Sequence, residues 1–216
     1  MGTLTGTTII NGANGVREQL LDAAKVVWSD NTLLHALAEA QRTICFWKAD
    51  AYTVLTNVEM VPGTDQALPS DGIAIMDITE NTYSGLRVKI VDFDLLNETL
   101  REWPVTDRQR DVEEFCADPR DPRRFTVSPP NDGTGEVVTL YGAIPPDMTS
   151  LSDAITLADT YENTLKLMTM ASAYRKNSKR QDLAKSAALT QEARQSLGLK
   201  SQSQVAVAPK DPGGPK

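Results

Sequence analysis

Residues 32–49 read Thr-Leu-Leu-His-Ala-Leu-Ala-Glu-Ala-Gln-Arg-Thr-Ile-Cys-Phe-Trp-Lys-Ala, and their spacing governs how the rest of the chain is read. Leu33, Leu37, Ala40, Ile44 and Trp47 recur at steps of 4, 3, 4 and 3, which puts them on one face of a helix. Just before it, Ser29-Asp30-Asn31 supplies side-chain oxygens able to accept the first free backbone N–H groups, an N-cap signal. Upstream, Val16, Leu20, Ala24, Val27 and Trp28 also follow helical spacing and predict a first helix over 16–28. The short break between the two predicts an antiparallel helical hairpin.

Downstream the texture changes. From residue 52 to 144 short apolar runs alternate with Gly, Pro, Asn and Asp, predicting strands over 54–61, 73–78, 86–91, 124–127 and 137–141. Leu86, Val88 and Ile90 alternate with Arg87 and Lys89, the pattern of a half-buried strand. Pro129-Pro130-Asn131-Asp132-Gly133-Thr134-Gly135 reads as a loop, and residues 94–101 as a short helix before Trp103-Pro104.

Helical spacing returns after Pro145-Pro146. Ile155, Ala158, Tyr161, Leu165 and Met168 predict a helix over 153–175. A last helix over 180–197 carries a thinner stripe of Leu183, Ala187, Thr190, Arg194 and Leu197, and Gly198 is its expected stop. From Ser201 onward no apolar period survives, so a disordered tail is expected. The predicted fold class is therefore α+β: a four-helix bundle of two N-terminal and two C-terminal helices, with an inserted small antiparallel β module and a flexible C-terminal tail. The expected organisation is a flexible N-terminus over 1–14, a helical body over 15–50 and 150–198, a β module over 51–149, and a flexible tail over 199–216.

The totals agree with a globular chain: 216 residues, 40% hydrophobic and 24% charged. No run of 18 apolar residues occurs, so no membrane partner is expected, and the polar start does not read as a secretory signal. Cys45 and Cys116 are expected as inert thiols in a reducing compartment, with a disulfide left open. The net charge of −7 is unevenly spread. Residues 1–165 hold 12 Lys/Arg against 26 Asp/Glu, whereas residues 166–200 hold eight basic against two acidic. Such a basic helical end on an acidic body suits contacts between copies, with Arg175, Lys176, Lys179, Arg180 and Arg194 as candidates. A plain solvated helix face is the other reading.

Groups that change charge near neutrality are scarce. His35 is the only histidine, no HExxH, CxxC or GxSxG sequence occurs, and Pro62-Gly63-Thr64-Asp65-Gln66 lacks the Gly-Lys-Ser/Thr of a phosphate loop. Asp92, Asp94 and Glu98 lack the spacing of a calcium loop. No metal, cofactor or catalytic residue is expected. A hydrolase built on Asp77, Asp92 and Asp94 is the weakest alternative. The oddest string is the doubled Asp118-Pro119-Arg120-Asp121-Pro122-Arg123, a rigid loop by its prolines and aspartates. Either Arg120, Arg123 and Arg124 meet acidic groups of a neighbouring subunit, or they pair with the adjacent aspartates.

Several of these residues carry a resemblance. Trp28, Ala38-Glu39-Ala40-Gln41-Arg42, Pro62-Gly63-Thr64-Asp65-Gln66-Ala67-Leu68-Pro69 and Val91-Asp92 belong to it. So do Trp103, Asp121-Pro122-Arg123-Arg124-Phe125-Thr126-Val127-Ser128-Pro129, Tyr141, Pro145-Pro146, Asp159-Thr160-Tyr161 and Tyr174. In order and spacing, over about residues 16–199, the chain resembles the adaptor (head-to-tail connector) family of tailed bacteriophages. The resemblance implies a structural subunit of a virion ring, commonly of twelve copies, docked under the portal protein. It also implies a β module meeting the tail tube or tail hub protein, and DNA passing through the channel without sequence-specific binding. Finally, it implies a C-terminal segment that orders on the portal, so Leu199, Lys200, Gln202, Gln204, Val205 and Val207 are candidate portal contacts. A soluble phage assembly chaperone or regulatory binding protein is the alternative.

Overall fold

The computed structural model of the chain describes residues 3–92, 107–176 and 178–199. Five helices are described: α1 (Gly6–Asn11), α2 (Val16–Gln19), α3 (Asp30–Trp47), α4 (Glu162–Arg175) and α5 (Leu183–Ser196). The strands are β1 (Thr53–Glu59), β2 (Gly63–Ala67), β3 (Gly72–Asn81), β4 (Lys89–Ile90), β5 (Glu114–Ala117), β6 (Arg124–Asn131) and β7 (Glu136–Ala143). The chain divides into two compact units, Met1–Gln41 with Asp147–Lys216, and Arg42–Pro146.

In the first unit the α3 stripe residues Leu33, Leu37 and Ala40 are buried as their spacing requires, with Leu33 and Leu37 at 0% exposure. Ser29 caps the helix, its Oγ accepting the Thr32 N–H at 3.2 Å. Helix α4 is apolar on more than one side, burying Leu165, Leu167, Met170, Ala171 and Ala173. That distribution marks a central helix. Helix α5 lies on α4 through small side chains: Ser186 donates to the Ala171 carbonyl at 2.7 Å, Thr164 and Ser196 hydroxyls meet at 2.8 Å, and Ala193 is fully buried. Asp182 caps its start, accepting from the Lys185 N–H. At its end Gly198, at φ 72°, donates to Gln195 while Leu199 donates to Arg194, the paired bonds of a left-handed stop.

Three elements differ from the sequence reading here, one being the helix expected over 153–175, which begins only at Glu162. The expected helix over 16–28 survives only as α2, and residues 20–29 form an irregular connection instead, anchored by buried Leu20, Asp22 and Trp28. The cause is chemical. Asp22 accepts hydrogen bonds from the N–H groups of Val26, Val27 and Trp28, so those donors are satisfied without a helix. The stretch read as a flexible N-terminus instead contains α1, capped by Thr5, with Ile9 and Ile10 at 0% exposure.

The second unit overturns the expected fold class. In place of a four-helix bundle carrying a small antiparallel module, the protein is α+β with substantial strand content in two sheets. These are a three-stranded sheet of order β1-β7-β3 and a four-stranded sheet of order β2-β6-β5-β4. The second is mixed, because β4 pairs with β5 in parallel. A single apolar cluster including Val58, Ile78, Phe115, Phe125, Val137 and Tyr141 draws on both sheets. The strand expected over 86–91 is reduced to β4, whereas β2 and β5 were not among the expected strands.

Strand β6 runs through Pro129-Pro130, which the sequence reading gave to a loop. Ser128 is the last residue paired with β5, and the pairing with β2 shifts register between Thr126 and Asn131. Both prolines therefore fall where the ladder needs no N–H. The Pro130 carbonyl still accepts, from the Gln109 N–H. The helix expected over 94–101 and Trp103 lie outside the described residues.

Candidate interaction surface

The basic end of the sequence is only partly a free surface. Arg175 Nη2 meets Glu39 Oε1 at 2.7 Å, with both side chains more than half exposed, and Ser172 donates to the same carboxylate. Lys176 donates to the Thr32 hydroxyl at 3.1 Å. These groups line an open cleft of about 500 Å³ whose walls also include exposed His35 and, deeper, Ala36 and Ala173. Arg180 is placed elsewhere. It donates to the Leu20 and Leu21 carbonyls, and its guanidinium lies 5.7 Å from the Trp28 ring centre. Lys179 is exposed, Arg194 is half-buried, and Leu199 is half-buried with its N–H on Arg194. Lys200, Gln202, Gln204, Val205 and Val207 lie outside the described residues.

What Arg180 rests against is a clamp that sequence reasoning missed. Arg17 is buried and donates to Asn11 Oδ1 at 2.9 Å, to the Trp28 carbonyl at 3.0 Å and to Asp30 Oδ1 at 2.6 Å. Lys25 completes the pair with Asp30. The hydrogen bond from the Trp28 N–H, joined by those of Val26 and Val27 and by the Arg17 charge, holds the Asp22 carboxyl below the ordinary value against the opposing effect of desolvation. The Lys25 contact, with Arg17 behind it, lowers Asp30 in the same way. Trp28 is fully buried, donates to the Ala173 carbonyl and meets Tyr174 edge-on at 6.0 Å between ring centres. The clamp tolerates two non-glycine residues in the left-handed region, Leu21 at φ 52° and Lys25 at φ 57°. The sequence carried no signal for it, because on a helix over 16–28 Asp22 falls opposite the apolar stripe, where a carboxylate is expected.

The doubled Asp-Pro-Arg string forms the β5–β6 connection in the second unit. Asp118 accepts the Arg120 N–H at 2.8 Å, and Asp121 accepts the Arg123 N–H at 3.0 Å. Each aspartate thus fixes the backbone two residues on, across its proline. The arginine side chains of 120, 123 and 124 are exposed, and Arg124 approaches Asp65 at 4.0 Å, the limit of an ion pair. The aspartates engage backbone, and the guanidinium groups point outward from a stiff loop.

Of the residues considered for chemistry, Asp77 is half-buried on β3, Asp92 is exposed, and Asp94 lies outside the described residues. Cys45 and Cys116 are free and buried, and burial pushes the Cys45 thiol up to about 12. Among the described residues no helix is long and apolar enough to cross a membrane.

A family model described as SU10 adaptor protein matches residues 13–213. The chain belongs to this family. It is a bacteriophage adaptor protein, as the resemblance implied. No curated protein matches the chain. With the adaptor family established, the residues that carried the resemblance acquire physical roles. Gln66 is buried and closes the β1–β2 turn like a strand of backbone, accepting from the Val61 N–H and donating to the Val61 and Gly63 carbonyls. Gly63, at φ 116°, makes the turn that Gln66 closes. Gln41 is buried and accepts from Thr156, Phe125 is in the core, and Tyr141 donates to Asp71. The adaptor signature is thus written mainly in residues that hold the fold.

Proposed function

We propose that this adaptor is a non-catalytic structural subunit of the virion head–tail junction, assembling as a ring under the portal and linking capsid to tail around a DNA channel. The observation that carries the reading is the adaptor-family match over residues 13–213. Its charge distribution supports it. An acidic body repels the DNA backbone, so DNA slides past without the counterion release that would make it stick. Heterologous contacts between identical subunits close into a ring, of about twelve copies in this reading.

The partners are other copies of the chain, the portal protein and a tail tube or hub protein. Arg120 and Arg123 stand exposed on a backbone fixed by Asp118 and Asp121, an arrangement suited to meeting a neighbour's carboxylates at low conformational cost. Residues 199–216 are the proposed portal-binding segment. The test is electron microscopy of the full chain mixed with purified portal. Rings seated on the portal are expected; a mixture containing no ring and no co-complex would contradict the proposal.

A further inference from the structure

The four outer strands of the two sheets treat their open edges differently. Natural proteins blunt such edges with short strands, bulges, prolines or charges, because a regular edge templates pairing with another chain. Strand β4 has only two residues, and β2 has five with a register shift between Gly63 and Asp65. Strand β3 shifts register three times and is bridged by Arg87 at Glu80. Strand β1 has only one of these devices, the charge of Glu59 at its very end. Its seven residues, Thr-Val-Leu-Thr-Asn-Val-Glu, pair with β7 in unbroken register and contain no proline or lysine.

The ladder fixes which groups of β1 are open. Ala143 donates to the Tyr52 carbonyl and Met60 donates to the Gly135 carbonyl, so even-numbered residues turn their backbone groups to β7. Thr53, Leu55, Asn57 and Glu59 therefore direct theirs away from it. The same four residues are the exposed ones of the strand, and Leu55 is 59% exposed. Among the described residues β1 pairs with β7 alone.

We propose that β1 pairs antiparallel with β1 of a second copy of this chain, centred on Leu55 opposite Leu55. Three features favour a second copy over a foreign strand. Centring on Leu55 sets each exposed leucine beside its twin, on one face. It also sets Thr53 opposite Asn57, so the flanking pairs are uncharged and polar. The one charge of the strand, Glu59, falls opposite residue 51 and never opposite itself. About six main-chain hydrogen bonds result. One such ladder buries well under the roughly 1,200 Å² of a standard interface, so the association is weak and concentration-dependent. This inference does not depend on the adaptor reading, because it concerns the free chain.

The test is sedimentation velocity on the full chain across a wide concentration range, with amide hydrogen exchange at its two ends. The wild type is expected to shift from monomer to dimer, and exchange at Leu55 and Asn57 to slow roughly tenfold at the high end. Leu55→Lys places a charge beside its twin, and Asn57→Pro removes an N–H that β7 does not use; both are expected to remain monomeric. Leu55→Lys changes an exposed side chain only, so it serves as the decisive variant if the proline variant folds poorly. A wild type that stays monomeric throughout overturns the proposal. So does a Leu55→Lys protein that associates as the wild type does.

Discussion

The connection over residues 20–29 and the connection over residues 118–123 use one chemistry at two depths. In each, an aspartate accepts backbone N–H groups that no helix or ladder satisfies. Asp22 does so under the protein surface, taking three N–H groups while Arg17 fills the space beside it and Trp28 closes the end. Asp118 and Asp121 do so at the surface, one N–H each, with water available to replace them. The first arrangement abolishes a helix that the apolar spacing favours. The second merely stiffens a loop and turns its arginines outward. An unmade hydrogen bond is expensive only where water cannot reach, so depth decides whether the same side chain dictates the fold or decorates it.

That contrast can be broken from its strong end first. Trp28→Ala removes a fully buried ring together with its bond to Ala173, and should destabilise the protein by about 3–5 kcal/mol in denaturant unfolding. Asp22→Ala should lower Tm by several degrees, since three N–H groups and Arg17 lose a partner together. The pH dependence has a definite sign. The folded Asp22 carboxyl lies below its unfolded value, so its contribution is present above about pH 4 and is lost as pH falls through the lower folded value. Thermal melts from pH 6 downward should therefore show a weaker acid loss in Asp22→Asn than in the wild type.

At the weak end, Asp121→Ala frees one surface N–H and should cost about 0.5–1 kcal/mol, leaving the β6 register unchanged by amide exchange. Glu39→Gln should be smaller still, below about 0.5 kcal/mol, because the Arg175 pair is solvent-exposed and screened by salt. An Asp121 effect as large as that of Asp22 would remove the distinction between the two connections.

Periodicity made α3 and α5 legible, because their existence depends on a repeating apolar or small face and on caps at Ser29, Asp182 and Gly198. It misled over 16–28, where the apolar spacing is real but the backbone donors go to Asp22. It overlooked α1, six residues being too short to show a period. It was silent on Gly63-Thr64-Asp65-Gln66, since nothing in the string announces that the Gln66 amide will substitute for backbone beside a strand. The size of the β unit was underestimated for the same reason, and because Pro129-Pro130 conceals the continuation of β6. Among the candidate surface residues, charge alone could not separate Arg180, drawn onto Trp28 and the Leu20 carbonyl, from Lys179, left in solvent. The family signature was readable, and it proved to be a signature of folding positions.

If the chain is built into the particle beside the portal, it must remain there after assembly in fixed proportion to that ring. Quantitative mass spectrometry of purified virions measures this directly. The account predicts about one copy of this chain per portal subunit. Finished particles that contain the portal and lack this chain would contradict it.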